Sequence, residues 1–276
     1  MKDRARKRNQ VLRALAGSTW GASKEILSNT YKAIGRSIFN YGAAVWSPAL
    51  SKTSWDDLQA VQNGALRTIT GATKMSQISH LHNETKILKV RDHNNLLCKQ
   101  FLAQMHKQKH PNHHQLAIPP PPPGREMGAT LKDKYIQEIG HISINEDSNM
   151  KAVLKQIHTE TVHQALDLLE DNKVLGAAPP KISEEEQSLS RRARTYLSQL
   201  RSGYSPLLQS YLHRLKPTED QNCPKCGTEP HTTLHLFNCP LDPTDLSPED
   251  LWTRPVETAR FLKLDSREED DNLDPG

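Results

Sequence analysis

Residues 223–239 read Cys223-Pro224-Lys225-Cys226-Gly227-Thr228-Glu229-Pro230-His231-Thr232-Thr233-Leu234-His235-Leu236-Phe237-Asn238-Cys239. Two cysteines separated by two residues allow a tight turn in which both thiolates face one point about 2.3 Å away, the length of a zinc–sulfur bond. Pro224 suits such a turn because its ring sets φ, and Gly227 because it accepts a positive φ. His235 and Cys239 lie four residues apart, so on a helix they would share a face and complete a Cys₃His set. The expected metal ligands are therefore Cys223, Cys226, His235 and Cys239, with His231 as the rival imidazole. Four closed ligands leave no place for a water molecule, so the expected Zn²⁺ is structural.

The rest of the chain agrees with a metal-stapled protein. Of four cysteines, the remaining one, Cys98, stands alone, a usage that fits metal ligation in a reducing compartment better than a disulfide scaffold. Only 35% of the 276 residues are hydrophobic and 5% aromatic, with 18 prolines. Such a composition predicts several small helical cores joined by exposed linkers. No apolar run reaches the ~18–20 residues of a membrane span, and the basic start MKDRARKRNQ lacks the apolar core of a secretory signal. An intracellular protein follows as an expectation, nuclear or cytoplasmic.

The net charge of +4 conceals a gradient. Residues 1–110 carry 18 Lys/Arg against 6 Asp/Glu, a net +12, whereas residues 241–276 carry 4 against 11, a net −7. A basic half with an acidic end suggests a polyanionic partner, RNA or DNA.

Apolar spacing predicts a mainly α fold. A short apolar face at Val11, Leu12 and Leu15 ends at Gly17. Ser23 caps a helix carrying Ile26, Leu27, Tyr31, Ile34 and Ile38, and Ser54 with Asp57 resembles a capping box for a helix ending at Gly71. Another runs through Asn95, Leu96, Phe101 and Met105, and a further one from Val153 to Leu169. Ser183 followed by Glu184, Glu185 and Glu186 starts a helix whose later part is basic. The expected organisation is a helical region at 1–110, a His/Pro-rich linker at 111–125, a linker and amphipathic helix at 126–181, a basic helix plus zinc module at 182–264, and a disordered acidic tail at 265–276. On the basic helix, Arg191, Arg192, Arg194 and Arg201 are candidate phosphate contacts, interleaved with tyrosines that offer stacking surface.

No catalytic grouping emerges. Asp56-Asp57 sits in a first helical turn, where the helix dipole accounts for it, and the chain holds no Gly-rich phosphate loop and no nucleophile elbow.

Three stretches together resemble the C-terminal region of jockey-like non-LTR retrotransposon polyproteins, the endonuclease–reverse transcriptases of LINE elements. The first is Leu12-Arg13-Ala14-Leu15-Ala16-Gly17-Ser18-Thr19-Trp20-Gly21 with Tyr41-Gly42-Ala43-Ala44-Val45-Trp46. The second is Leu58-Gln59-Ala60-Val61-Gln62-Asn63, Arg67-Thr68-Ile69-Thr70-Gly71 and His82-Asn83-Glu84-Thr85. The third is Leu197-Ser198-Gln199-Leu200-Arg201-Ser202-Gly203-Tyr204 leading to His235-Leu236-Phe237-Asn238-Cys239-Pro240 and Leu251-Trp252. The resemblance implies that residues 1–110 correspond to the region after the polymerase palm, partly its thumb. It also implies that the cysteine cluster is a terminal zinc-binding, nucleic-acid-handling module. The palm aspartates that hold Mg²⁺ in such polymerases, in a Tyr/Phe-x-Asp-Asp turn, have no counterpart here, nor does the endonuclease domain. The resemblance thus implies a catalytically incomplete portion of an RNA-directed DNA polymerase, with a polymerase or host protein as a further partner. The competing expectation is a zinc-stapled helical scaffold for protein interaction, docking through apolar helices at 149–175 and 250–264.

Overall fold

The computed structural model describes residues 1–17, 21–107, 138–145 and 147–264. The expected His/Pro linker at 111–125 and the acidic tail at 265–276 lie outside them. The described residues are mainly helical, and their β-type pairing is limited to the isolated bridges Asn172–Ala177 and Asn222–Pro230. None of the helices is long and apolar enough to cross a membrane.

The chain resolves into two compact units. One comprises Met1–Gln10, Asn29–Ala65 and Lys86–Leu169, the other Val11–Ser28, Leu66–Thr85 and Glu170–Gly276. This differs from the linear division expected from the sequence. Residues 11–28 and 66–85 do not belong with the rest of 1–110; they pack with the segment that carries the cysteine cluster. The later division falls after Leu169, not at 181.

In the first unit, Ala5, Phe39, Trp55, Leu58, Val61 and Val90 form one apolar cluster. A second joins Leu88, Leu96 and Ala103 to Ile139, Ile142, Val153 and Ile157, of which Leu96 and Ala103 lie on the helix Val90–His106 and Val153 and Ile157 on Met150–Asp167. Two buried polar side chains of this unit form a relay: the Tyr31 hydroxyl donates to Gln62 Oε1 at 3.0 Å, and Gln62 Nε2 donates to the Leu88 carbonyl at 2.7 Å. The helix entered at Lys24–Thr30 widens to a π-helical Tyr31–Arg36 before Ser37–Asn40. Gly35 sits within that stretch because a Cβ there would lie 2.7 Å from the Tyr31 ring. The Lys52–Thr70 helix begins two residues before the expected cap. Ser51 Oγ, not Ser54, accepts the first free amide (from Ser54 N, 3.2 Å), and Asp57 pairs with Lys2 at 2.6 Å. Asn149 caps Met150–Asp167 by accepting from the Lys151 and Ala152 amides.

The second unit is built around the helix Arg191–Arg201. Its Ala193, Leu197 and Leu200 meet Leu208, Phe237, Leu246, Leu251, Trp252, Ala259 and Leu264 in one core. Each large aliphatic side chain so buried contributes roughly 1.5–3 kcal/mol. The single helix expected from Ser183 is two elements. A short 3₁₀ turn, Glu184–Ser188, is capped by Ser183, and Arg191–Arg201 is capped separately by Ser190, whose side chain accepts from the Ala193 amide. Leu189 between them is extended, because two consecutive Ser caps compete with continuous helical bonding. Gly71 ends its helix as expected, with φ +73°; a Cβ there would also meet Thr195 Cγ2 at 2.4 Å. The helices Asp250–Thr253 and Pro255–Phe261 bury Leu251, Trp252 and Ala259 in the core, so the region 250–264 is not a free docking face.

Candidate metal centre

A short hairpin presents the first two cysteines. Cys223 N donates to Glu229 O at 2.8 Å and His231 N to Gln221 O at 2.8 Å, which closes the loop. Within it, Gly227 N donates back to Cys223 O at 2.8 Å. Gly227 holds φ +69°, the left-handed conformation expected of it. The chain then enters the helix Thr233–Asn238, whose cap Thr232 accepts from the His235 amide at 3.2 Å. That cap fixes where the first turn begins and so where the His235 ring projects.

Cys223 Sγ lies 3.9 Å from Cys239 Sγ, and Cys226 Sγ lies 3.3 Å from His235 Nε2. All four donor atoms fall within 4.8 Å of one another. A tetrahedron with ~2.3 Å metal–sulfur bonds has sulfur–sulfur edges of about 3.8 Å, so the donors already have the span of a single metal sphere. Cys223, Cys226, His235 and Cys239 are thus positioned to bind a metal ion, and their chemistry is compatible with zinc. One detail of the expectation is corrected. His235 and Cys239 do not share a helical face, because the helix ends at Asn238 and Cys239 is its extended cap residue, φ −71° and ψ 122°. That turn out of the helix swings the thiol toward Cys223.

His235, not His231, joins the cluster. The rival ring accepts the Gln209 amide on Nδ1 at 3.2 Å and helps seat the Gln209–Leu215 helix. His235 Nδ1 instead lies 3.0 Å from Glu229 Oε2. A carboxylate there holds the proton on Nδ1 and turns Nε2 toward the metal, the outer partner that ligating histidines commonly have. Glu229 was not anticipated from the sequence; its place inside the Cys–His interval was the available signal. The thiols differ from one another: burial pushes Cys239 up, whereas the other two are pulled down. The Thr228 hydroxyl, 3.3 Å from Cys226 Sγ, and the Thr228 amide pull the Cys226 thiol down to about 6. Burial opposes ionisation of Cys223, but the amides of Cys226 and Lys225 outweigh it and leave the thiol below its ordinary value.

The hairpin is not a free-standing knuckle. Phe237 enters the core of the second unit beside Phe261, and Thr233 Oγ1 donates to the Leu200 carbonyl at 3.0 Å. Three of the four donors, Cys223, Cys239 and His235, belong to residues at most 5% exposed.

The four arginines expected to meet phosphate are distributed differently. Arg201 is fully buried: it donates to Glu84 at 3.1 Å, to Glu186, and through Nε to the Leu251 carbonyl at 2.9 Å. Arg194, also buried, forms a two-pronged pair with Glu25 at 2.6 and 3.2 Å. Arg191 donates to the carbonyls of Ile69 and Thr68 at 2.5 and 2.9 Å. These three guanidinium groups are committed within the protein, so the expectation that they contact nucleic acid is corrected. Arg192 lies over the Tyr196 ring at 5.8 Å. Lys24 completes the ionic cluster, 2.8 Å from Glu84 and 3.5 Å from Glu186. Three cations and three carboxylates therefore pair with one another, Glu84, Glu186, Arg194 and Arg201 from buried positions and Glu25 from the exposed edge, and none of Lys24, Glu25, Glu84 or Glu186 was singled out from the sequence for this role. The sequence reading assigned Arg194 and Arg201 to phosphate; their spacing of three and four residues from Leu197, which shares their buried side of the helix, was the available signal.

Comparison of the chain with protein-family models, curated proteins and solved structures finds no match.

Proposed function

We propose that this chain is a catalytically silent, zinc-stapled nucleic-acid-binding protein descended from the C-terminal region of a non-LTR retrotransposon polymerase. Zinc held by Cys223, Cys226, His235 and Cys239 supplies folding free energy and no chemistry, since the four donors close the coordination sphere. The observation that carries nucleic-acid binding is the helix Lys2–Leu15. It exposes Arg4, Arg6, Lys7, Arg8 and Arg13, and Arg4, Lys7 and Arg13 make no ion pair among the described residues. An exposed, unneutralised row of cations stabilises contact with phosphate and makes it salt-dependent.

Binding of single-stranded RNA and DNA oligonucleotides, measured from low to high salt, tests this reading. Affinity falls steeply with salt in the wild type. Changing Arg4 and Lys7 together to Gln reduces the log–log slope by about 1.4, at ~0.7 per phosphate contact on a single strand. An affinity indifferent to salt overturns nucleic-acid binding, and primer extension by the purified chain overturns catalytic silence. The competing reading, a protein-docking scaffold, draws support from Leu168, which is 82% exposed at the end of the Met150–Asp167 helix. Loss of a protein partner on Leu168→Ser with oligonucleotide binding intact would favour it.

A further inference from the structure

Apart from the metal centre, the second unit holds a cleft of about 260 Å³ whose lining includes Lys173, Tyr204, Tyr211, Arg214 and Thr232. Local structure places each of its charged groups. Asn172 accepts the Val174 and Leu175 amides on Oδ1 and donates to the Arg201 carbonyl at 2.9 Å, so the turn that bears Lys173 is pinned to the end of the Arg191–Arg201 helix. Gly203, at φ +73°, then turns the chain and brings Tyr204 beside that lysine. One turn along the Gln209–Leu215 helix from the half-buried Tyr211 stands Arg214.

Lys173 Nζ lies 2.5 Å from the Tyr204 hydroxyl and 4.4 Å from its ring centroid, and Arg214 lies 3.4 Å from the same hydroxyl and 5.5 Å from the ring. Tyr211 meets Tyr204 edge-on, with centroids 6.2 Å apart. No Asp or Glu lines the cleft, and neither cation makes an ion pair among the described residues. The contrast with the same unit's interior is informative, for there every arginine cation of the ionic cluster has a carboxylate. Here two cations converge on one phenol oxygen in an open cleft, an arrangement that leaves positive charge for an anion while aromatic surface lies alongside.

We propose that this cleft takes one unpaired, phosphate-bearing nucleotide of a single strand, with Lys173 and Arg214 meeting the phosphate and Tyr211 offering its ring to the base. The proposal rests on the nucleic-acid reading and gives it a specific site. Its volume, about 260 Å³, lies just below the usual range for ligand pockets and so has room for no more than one nucleotide. Base–aromatic stacking of this kind tolerates any base.

The test uses the full-length, metal-loaded chain and fluorescent eight-nucleotide oligo(U) and oligo(dT), with inorganic phosphate and uridine monophosphate as competitors. Lys173→Gln with Arg214→Gln weakens oligonucleotide binding about tenfold and lowers the salt slope by ~0.7, one phosphate contact. Tyr211→Leu weakens the oligonucleotide about tenfold, within the usual range for losing one stacked base, and leaves competition by inorganic phosphate unchanged. Tyr204→Phe retains both cations and keeps most of the affinity; a collapse of affinity in this variant would mean that the cations serve only to hold the tyrosine, and would overturn the proposal. Unchanged thermal midpoints confirm that each variant is folded, and Arg214→Lys replaces any variant that is not. If the cleft variants bind like the wild type while the Arg4/Lys7 variant does not, this site is wrong and the nucleic-acid reading stands. If the wild type binds no oligonucleotide, both fall. If inorganic phosphate binds at the cleft but the oligonucleotide ignores the substitutions, the site is a free-anion site and the nucleotide proposal is overturned.

Discussion

The cysteine hairpin and the Arg201 cluster lie in the same unit and both bury polar groups, yet they are assembled in opposite ways. The hairpin draws its four candidate metal ligands from seventeen consecutive residues, with one glycine turn and one threonine cap to aim them. The Arg201 cluster gathers Lys24, Glu25, Glu84, Glu186, Arg194 and Arg201 from three separate parts of the chain. A metal ion can hold a local segment because its bonds are strong and its geometry comes from the ion. An ionic cluster without a metal holds only when the surrounding core has already brought its members together and excluded water. The first device can organise structure; the second depends on it.

Metal removal should break the comparison most sharply. Structural zinc supplies on the order of 10 kcal/mol of apparent binding free energy in small modules. Chelation, or Cys226→Ser, is therefore expected to abolish one bound metal per chain and to unfold the segment from Gln221 to Asn238. Amide exchange read across the chain would show protection lost there first, with Phe237 then exposing part of the shared core. Full protection without metal would mean that the hairpin is held by its core contacts alone.

A smaller but still large effect is expected at the ionic cluster. Arg201→Met leaves Glu84 and Glu186 buried with fewer cations, and breaking one side of such a cluster costs roughly 3–5 kcal/mol. The restoring variant is the double change Arg201→Met with Glu84→Gln, which removes a charge of each sign. Urea unfolding should show the double variant more stable than Arg201→Met alone. If the single variant loses under about 1 kcal/mol, the cluster behaves as a solvated surface pair and the contrast drawn here fails.

The smallest effect concerns acid. Burial pushes His80 down to about 4 against an ordinary value near 6.5, with the cations Arg201 and Lys24 also opposing its protonation. The unfolded chain therefore takes up this proton first, and stability present above pH 6.5 is lost as pH falls toward 4. Glu84 is held well below the usual carboxylate range: burial opposes its ionisation, but Lys24 and Arg201 outweigh that. Its contribution is present above about pH 4.3, the ordinary glutamate value, and is lost as pH falls further. Both groups thus make the second unit acid-labile, in successive windows. His80→Gln should keep roughly 2 kcal/mol that the wild type loses between pH 6.5 and 4.5, read as the difference between their unfolding curves and independent of metal loss common to both. Parallel curves would show that His80 protonates freely in the folded protein.

The helices show how far sequence reading extends. Periodicity located the helices around Leu27–Tyr31, Leu58–Ile69, Asn95–Met105 and Val153–Ala165, and Gly71 as a helix terminus, since these depend on residues within one or two turns. It passed over Ile78–Thr85, a short helix bearing buried His80, His82 and Glu84. Polar residues on a buried face cancel the apolar pattern that would mark it. Ile26 shows the converse error. Its spacing puts it with an apolar face, but it is 56% exposed while the next residue, Leu27, is fully buried.

What the sequence by itself determined is the membership of the Cys₃His cluster, the helical character and the charge gradient. Each is written in residues close together along the chain, where spacing alone implies proximity. Tertiary structure decided that 11–28 and 66–85 join the cysteine-bearing unit, that Arg194 and Arg201 face inward to carboxylates, and that Lys173 and Arg214 meet over Tyr204. A guanidinium carries the same charge in water or in a core. Which of these surrounds it depends on partners tens of residues away, and no local pattern specifies them.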